Sequence, residues 1–503
     1  MALSLYNTMG RELEEFTPIL AGKAGFYGCG PTVYNYAHIG NLRAYVFQDT
    51  LKRTLSFLGY EVTHVMNVTD IGHLASDADD GEDKMVKTAE ERGQSVLDIA
   101  RFYTDAFFRD TDRLNIVRPT VVCRATEHVA EMIELIKRIE ANGHTYMAGG
   151  NLYFNVASFP GYGKLARINL EDLKAGARID VDKNKRNPHD FVLWFTKSKF
   201  ENHALVWESP WGVGYPGWHI ECSAMSMKYL GEQFDIHTGG IDHIQIHHTN
   251  EIAQSEGATG KKWVNFWLHN EFLVMDKGKM SKSSGNFLTL QYLVDQGYDP
   301  IDYRFFLLGG HYRSQLTFSW ESMESAKNAR KSLAKPIARI AGTVKKEMPA
   351  RYGELLSRAA RGEWSFDLTV AELGESGAAD YLARFRTAIE QDLNTPRALS
   401  ELQGLVRDQS IEACDAYLAL VAMDSVLGLA LASTAEAQLA AELTPAAESD
   451  PRVDALVTER TEAKKAKNFA RADEIRNLLK EEGVILEDGP SGTTWKRVTG
   501  GKA

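Results

Sequence analysis

The chain has 503 residues, which at about 150 per domain points to two to four domains. Apolar residues make up 44% and charged residues 25%, a globular mix that excludes a disordered chain and a collagen-like repeat. The formal net charge of −11 argues against a surface that binds nucleic acid everywhere, but it leaves room for a local basic face.

The N-terminus MALSLYNTMGRELEEF lacks a basic region followed by an apolar run, so no secretory signal is expected. Residues 24–29 (AGFYGC) form a short apolar run ending in glycine and cysteine, as a buried parallel strand would. Helical spacing of Ala44, Val46, Phe47, Leu51 and Leu55 predicts a helix over 38–58, and the β-branched run 61–68 (EVTHVMNV) predicts a second strand. Strand, glycine turn, helix and strand make a βαβ unit, the usual start of a doubly wound sheet. An acidic loop follows at 77–83, then helices over 95–113 and 125–142. Residues 143–212 are rich in turns with short aromatic strands such as 191–196, and read as an insertion.

The α/β pattern returns near Trp218, and from about Ile301 the chain becomes mainly helical. The apolar stretch 413–432 carries Asp415 and Asp424, so it reads as a buried helix and not a membrane span. A linker is expected over 436–450, then a charged helix over 451–482 and two strands at 483–487 and 493–498. The four cysteines, Cys29, Cys123, Cys222 and Cys414, show no disulfide spacing, which predicts a reducing, cytoplasmic setting.

Two segments carry phosphate chemistry. Residues 31–41 (PTVYNYAHIGN) lead from strand to helix, and a helix N-terminus offers free N–H groups and a positive dipole end. His38 can donate to a phosphate oxygen there, and Gly40 lets a nucleotide approach the backbone. Alone, this turn reads equally well as a capping histidine. Residues 279–283 (KMSKS) place Lys279 and Lys282 in a glycine-flanked loop able to neutralise a departing pyrophosphate, although alone the segment reads better as a solvated surface loop.

An HIGN turn with KMSKS about 240 residues later resembles the class I aminoacyl-tRNA synthetases. With CGPTVYNYAHIGN, NVTDIGHL, GWHIECSAM, FDIHTGGIDHIQIHHTNEIAQSE and KMSKSSGNF in that order, the chain resembles the cysteinyl-tRNA synthetase family over nearly its whole length. The resemblance implies a Rossmann-like α/β catalytic core with an insertion, a helical tRNA-binding domain and a small α/β C-terminal domain. The expected divisions are 1–125 and 213–275 for the catalytic halves, 126–212 for the insertion, and 276–325 for a KMSKS-containing stem-contact region. Residues 326–440 would bind the anticodon stem and 451–503 the anticodon.

The resemblance further implies one zinc held by Cys29, Cys222, His247 and Glu251, donor types that zinc accepts. Spacing alone gives only that His247 and Glu251 share a helix face. By the same resemblance Thr69, Trp218 and His237 line the amino-acid pocket. Gly239, Gly240 and Asp242 hold adenosine, and His38, Asn41, Lys279 and Lys282 act on ATP. Mg²⁺ is expected with ATP, without assigned ligands. Cys123 and Cys414 are expected in the core. Expected partners are L-cysteine, ATP and a tRNA with a GCA anticodon, with no membrane and a monomeric enzyme.

Two departures from the family pattern stand out: Thr249 replaces a common glutamate, and the acidic loop follows NVTDIGHL in place of NITDID. Residues 327–347 hold seven basic residues and one acid, a candidate RNA track, and Trp495, Lys496 and Arg497 are candidate anticodon contacts. A rival reading, a cysteine ligase acting on an amino sugar, lacks a counterpart of residues 380–503. A zinc hydrolase is disfavoured because four protein ligands leave no obvious water position.

Overall fold

A computed structural model describes residues 2–71, 88–89, 92–168, 183–197, 205–275, 288–443, 450–466, 468–489 and 492–497. The acidic loop and the KMSKS segment, with Lys279 and Lys282, lie outside the described residues. The chain divides into two compact units, Met1–Ala432 and Ser433–Ala503.

The first unit opens with a hairpin, β1 (Ser4–Asn7) and β2 (Glu12–Glu15). Then come β3 (Lys23–Gly28), α1 (Ile39–Phe57), β4 (Glu61–Val68), α2 (Val96–Arg113) and β5 (Val121–Arg124). The expected helix at 125–142 begins as a single 3₁₀ turn, Ala125–Glu127, before α3 (Val129–Ala141). The insertion forms an antiparallel sheet of β6 (Thr145–Ala148), β7 (Asn151–Phe154), β8 (Phe191–Phe195) and β9 (Tyr215–Pro216). The core resumes with α4 (Trp218–Leu230), β10 (Phe234–Gly240), α5 (His247–Thr259) and β11 (Val264–Asn270).

The central sheet is parallel, in the order β11-β10-β3-β4-β5. From β3 the chain first adds strands on one side, then returns to add β10 and β11 on the other. That reversal makes the carboxyl ends of β3 and β10 a topological switch point, where open α/β sheets bind ligands.

The helical part continues the same unit. Arg304, fully buried in the helix Pro300–Leu308, donates to Asp49 Oδ2 of α1 at 2.5 Å and to the Leu427 and Leu114 carbonyls at 2.7 and 3.0 Å. Asp49 also accepts from Arg53 at 2.8 Å and from the Val117 amide at 2.8 Å. The stretch 413–432 is a buried helix, Ala413–Leu427, as expected. The DLNTP segment is a strained corner: Asp392 and Leu393 both have positive φ, 54° and 55°. Asp392 holds that corner by accepting from the Tyr6 amide, Tyr312 Oη and Arg313 Nε at 2.9, 2.6 and 2.6 Å. Asn394 then caps the helix Thr395–Arg407.

Three expectations need correction. The charged segment 451–482 is two helices, Pro451–Lys465 and Phe469–Glu481, because Ala466 ends the first and the Asn468 side chain caps the second. Their apolar faces pack with the hairpin Val484–Gly489/Gly492–Arg497 around Val453, Ile475 and Leu479. Cys414 is half-buried in the first turn of its helix and not in the core, whereas Cys123 is buried as expected. All four cysteines are free. The expected linker 436–450 begins inside a helix, Leu431–Leu443, and 444–449 lie outside the described residues. Among the described residues no helix is long and apolar enough to cross a membrane.

Burial raises the Asp49 carboxyl, but Arg53 and Arg304 outweigh it and hold it below the ordinary range. Replacing Asp49 by alanine leaves Arg304 buried and unpaired, so Asp49→Ala should lose about 3–5 kcal/mol in urea unfolding. The depressed folded value means the stabilisation is present above the unfolded pKa of about 3.9 and fades as pH falls through the folded one. The stability gap between wild type and Asp49→Ala should therefore narrow below about pH 4.

Candidate active site and metal centre

A cavity of about 520 Å³ opens at the switch point. Cys29, immediately after the central strand β3, reaches it at the carboxyl end of the sheet, and Gly30 follows because a Cβ there would run into the Asn67 carbonyl. Cys222 comes from α4, and His247 from the first turn of α5. One turn later on α5, Glu251 lies behind them, fully buried.

Glu251 Oε1 is 2.8 Å from His247 Nε2, and its Oε2 is 2.8 Å from His237 Nε2. Neither contact has hydrogen-bond geometry, so both carboxylate oxygens are buried without a donor. Ligand atoms of Cys29, Cys222, His247 and Glu251 lie within 4.8 Å of one another. A second quartet, Cys29, His237, His248 and Glu251, meets the same criterion. The first quartet turns three of its members to the cavity wall, while His237 and His248 are fully buried behind it.

The electrostatics suit a cation. Burial raises Glu251, but His247 and His237 outweigh it and hold the carboxyl well below its usual value. Burial lowers His247, but the Glu251 charge outweighs it and holds the imidazole well above its usual value. Cys222 is raised by the neighbouring Cys29 thiol and by burial. The Cys222 hydrogen bond lowers Cys29, yet burial and the charges of Glu251 and Asp242 push it up on balance. A divalent cation among these donors reverses that balance and favours thiolate sulfur. Two sulfurs, an imidazole and a carboxylate are a donor set that fits zinc.

A supporting layer surrounds the donors. His219 Nδ1 lies 2.9 Å from His247 Nδ1. His248 Nε2 lies 3.4 Å from Cys29 Sγ, and its Nδ1 is 2.8 Å from His269, which meets Thr8 Oγ1 at 2.8 Å. Sequence reasoning missed His219 and His269, whereas the histidine-rich run that includes His248 could already be read as partly structural. Their signal was an unusual density of histidine on apolar strands and helices. Thr249 donates to the Ile244 carbonyl at 2.7 Å and does not belong to either quartet.

Opposite the donors stands the start of α1. The Asn41 amide donates to His38 Nδ1, and the His38 amide donates to Asn41 Oδ1, both at 3.2 Å. The capping reading of His38 is therefore realised, and it aids the phosphate reading: with Nδ1 accepting, the ring proton sits on Nε2 as a donor. Burial lowers His38, which favours that neutral form. A Cβ on Gly40 would come within 3.0 Å of the His38 ring, so glycine also makes room for the histidine. Tyr303 Oη donates to the Ile39 carbonyl at 2.6 Å, anchoring the turn.

Gly239 and Gly240 end β10 on the cavity wall, with Asp242 exposed at its lip. Trp218 is half-buried on the wall with its ring 4.5 Å from His247, so it is not simply core packing. Thr69 also lines the cavity, its hydroxyl accepting from Asn67 at 3.0 Å. His237 departs from expectation: it is off the wall, stacked on Trp267 at 4.8 Å with its Nε2 against Glu251. β10 carries its side chain to the buried side of the metal centre.

Residues 15–328 match the class I (C) tRNA synthetase catalytic domain. Over 502 residues the chain is 63% identical to a cysteine–tRNA ligase of Treponema denticola, spanning 99% of this chain and 100% of that one. The chain belongs to the cysteine–tRNA ligase family. A family member from Borreliella burgdorferi is 43% identical, covering 99% of this chain and 100% of its own. Among solved structures, a methionyl-tRNA synthetase of Mycobacterium tuberculosis bound by methionyl-adenylate aligns with a TM-score of 0.54 at 15% identity. It covers 83% of this chain and 93% of that one, and it shows the shared class I fold.

The His219–His247 contact orients a donor of the quartet. Removing such a partner usually costs a metal site about 10- to 100-fold in affinity. His219→Ala should weaken Zn²⁺ binding by that factor in competition with a chelating dye. Unchanged affinity would count against His247 as a ligand.

Proposed function

We propose that the chain activates L-cysteine with ATP and transfers it to tRNA carrying a GCA anticodon. In the first step the cysteine carboxylate attacks the α-phosphate of ATP, forming cysteinyl adenylate and releasing pyrophosphate. In the second, the 2′-hydroxyl of the terminal adenosine attacks the adenylate carbonyl and AMP leaves. The observation that carries the reading is one cavity with soft metal donors on one wall and the capped N-terminus of α1 on the other.

His38 Nε2–H and the α1 dipole stabilise phosphate charge, and Asn41 fixes the His38 ring. Gly40, Gly239 and Gly240 admit the nucleotide, and Asp242 accepts from ribose hydroxyls. Lys279 and Lys282, outside the described residues, neutralise the departing pyrophosphate. Catalysis is positioning and charge stabilisation, with no covalent enzyme intermediate. Mg²⁺ accompanies ATP, with no protein ligand assigned.

Thr69 and Trp218 bound the amino-acid end, beside Cys29, Cys222 and His247. Cysteine and serine differ by one atom, which an apolar wall separates weakly. Zinc held by Cys29, Cys222, His247 and Glu251 supplies strong affinity for a thiolate and little for an alcohol. His237 acts on this selection indirectly, by holding Glu251.

The parts expected at 326–440 and 451–503 serve tRNA binding. In the helix Trp320–Glu347, Lys331, Lys335 and Arg339 are exposed and four residues apart, so they share one face. Arg330 is instead paired with Asp302 at 2.6 Å. The Trp495 ring packs against the small core and its Nε1–H donates to Asp454, which leaves one ring edge for base contact. Free cysteines suit a reducing cytoplasm, where the enzyme would act as a monomer.

Cysteine should drive ATP–pyrophosphate exchange and serine should not, and Cys222→Ala should reduce the cysteine-driven rate at least about 100-fold. No exchange by folded, zinc-loaded protein would overturn the activation mechanism. Substituting Lys331, Lys335 and Arg339 by glutamate should weaken tRNA binding. The slope of log affinity against log salt should fall by about 0.7–0.9 for each phosphate that is no longer neutralised.

A further inference from the structure

Tyr34, Tyr36, Tyr103 and Phe107 also line the cavity, and the proposed first step gives them no role. Beyond its rim the aromatic surface continues in the open. Tyr36 is 43% exposed and Phe102 39% exposed, large aromatic rings that a soluble surface seldom leaves uncovered. Their rings meet edge to face at 6.0 Å, and Tyr36 also meets Tyr103 at 5.1 Å. The exposed Arg92 guanidinium lies 5.5 Å from the Phe102 ring and 5.2 Å from the Tyr103 ring.

Aromatic faces with an arginine beside them are the chemistry that holds unpaired ribonucleotides: bases stack on the rings and the cation meets the phosphates. The protein is acidic overall, so a cation placed here answers a local anion. Tyr36 and Tyr103 belong both to this cluster and to the lining of the cavity. We propose that Tyr36, Phe102 and Arg92 form the entry subsite for the unpaired 3′ end of the acceptor RNA. A base next to the terminal adenosine stacks on Tyr36 and Phe102, and Arg92 takes the adjoining phosphate. The terminal ribose is thereby delivered past Tyr103 and Phe107 to the adenylate. The subsite rests on the ligase reading above and adds to it the path of the second substrate.

The test separates the two steps. Transfer of cysteine from preformed adenylate to full-length tRNA is followed in a single turnover, beside ATP–pyrophosphate exchange, for wild type, Tyr36→Ala, Tyr36→Phe, Phe102→Ala and Arg92→Glu. The ratio of transfer to exchange should fall about tenfold for Tyr36→Ala and Phe102→Ala, the loss of one stacked base. Tyr36→Phe keeps the ring and should restore the ratio to within about twofold of wild type, which a purely structural role of the hydroxyl would not. Arg92→Glu should lower the ratio most at low salt. Because Tyr36 is a surface residue, 43% exposed, its variants keep the folded core even if Phe102→Ala does not. An unchanged ratio in Tyr36→Ala, or equal loss in both steps, would overturn the subsite. Absence of exchange in wild type would instead overturn the ligase reading.

Discussion

A carboxylate with both oxygens buried, neither hydrogen-bonded, is the constraint around which the catalytic unit is arranged. Glu251 can stay charged there only if cations surround it. His247, whose imidazole is held well above its usual value, supplies part of that charge, the His237 ring lies against the other oxygen at 2.8 Å, and two thiols from distant segments close the cluster. Cys29 follows the end of β3, His247 opens α5, and Cys222 and Glu251 lie about one turn inside the starts of α4 and α5. The switch point brings those ends together, so the sheet topology sets the donor geometry and the donors offset the cost of the buried charge.

The helix α1 ties this chemistry to the rest of the unit. Its N-terminus carries His38 and Asn41 into the cavity. Within its length, Arg43 reaches the carbonyls of Phe272, His311, Tyr312 and Ser314, and Asp49 pairs with Arg304. The cavity wall, the turn after β11 and the helical part thus share one rigid element. A protein that must recognise a nucleic acid over a long surface and act at one point needs such a connection between its parts.

Local chemistry made the α/β core readable in advance. β3, α1 and β4 have apolar runs, a capping turn and β-branched residues in agreement with one another, and they formed within a residue of the expected ends. The candidate quartet was grouped by family resemblance, since four residues on three segments leave no periodic trace. The side of the strand that His237 faces was not legible. β10 is buried on both faces, so alternation of polar and apolar residues, the usual guide, is missing. The break at 466–468 was hidden because charged residues continue through it, and the only cue was Asn468 as a cap. The Arg304–Asp49 pair joins positions 255 residues apart and could be found only in three dimensions.

The central claim is that the metal centre selects the substrate through its sulfur. Cobalt(II) in place of zinc would report this directly, because sulfur ligation gives it intense near-ultraviolet charge-transfer absorption. Adding L-cysteine to the cobalt protein should increase that absorption beyond the contribution of Cys29 and Cys222, and L-serine should leave it unchanged. An unchanged spectrum with cysteine bound, shown by equilibrium dialysis of the same sample, would contradict selection at the metal.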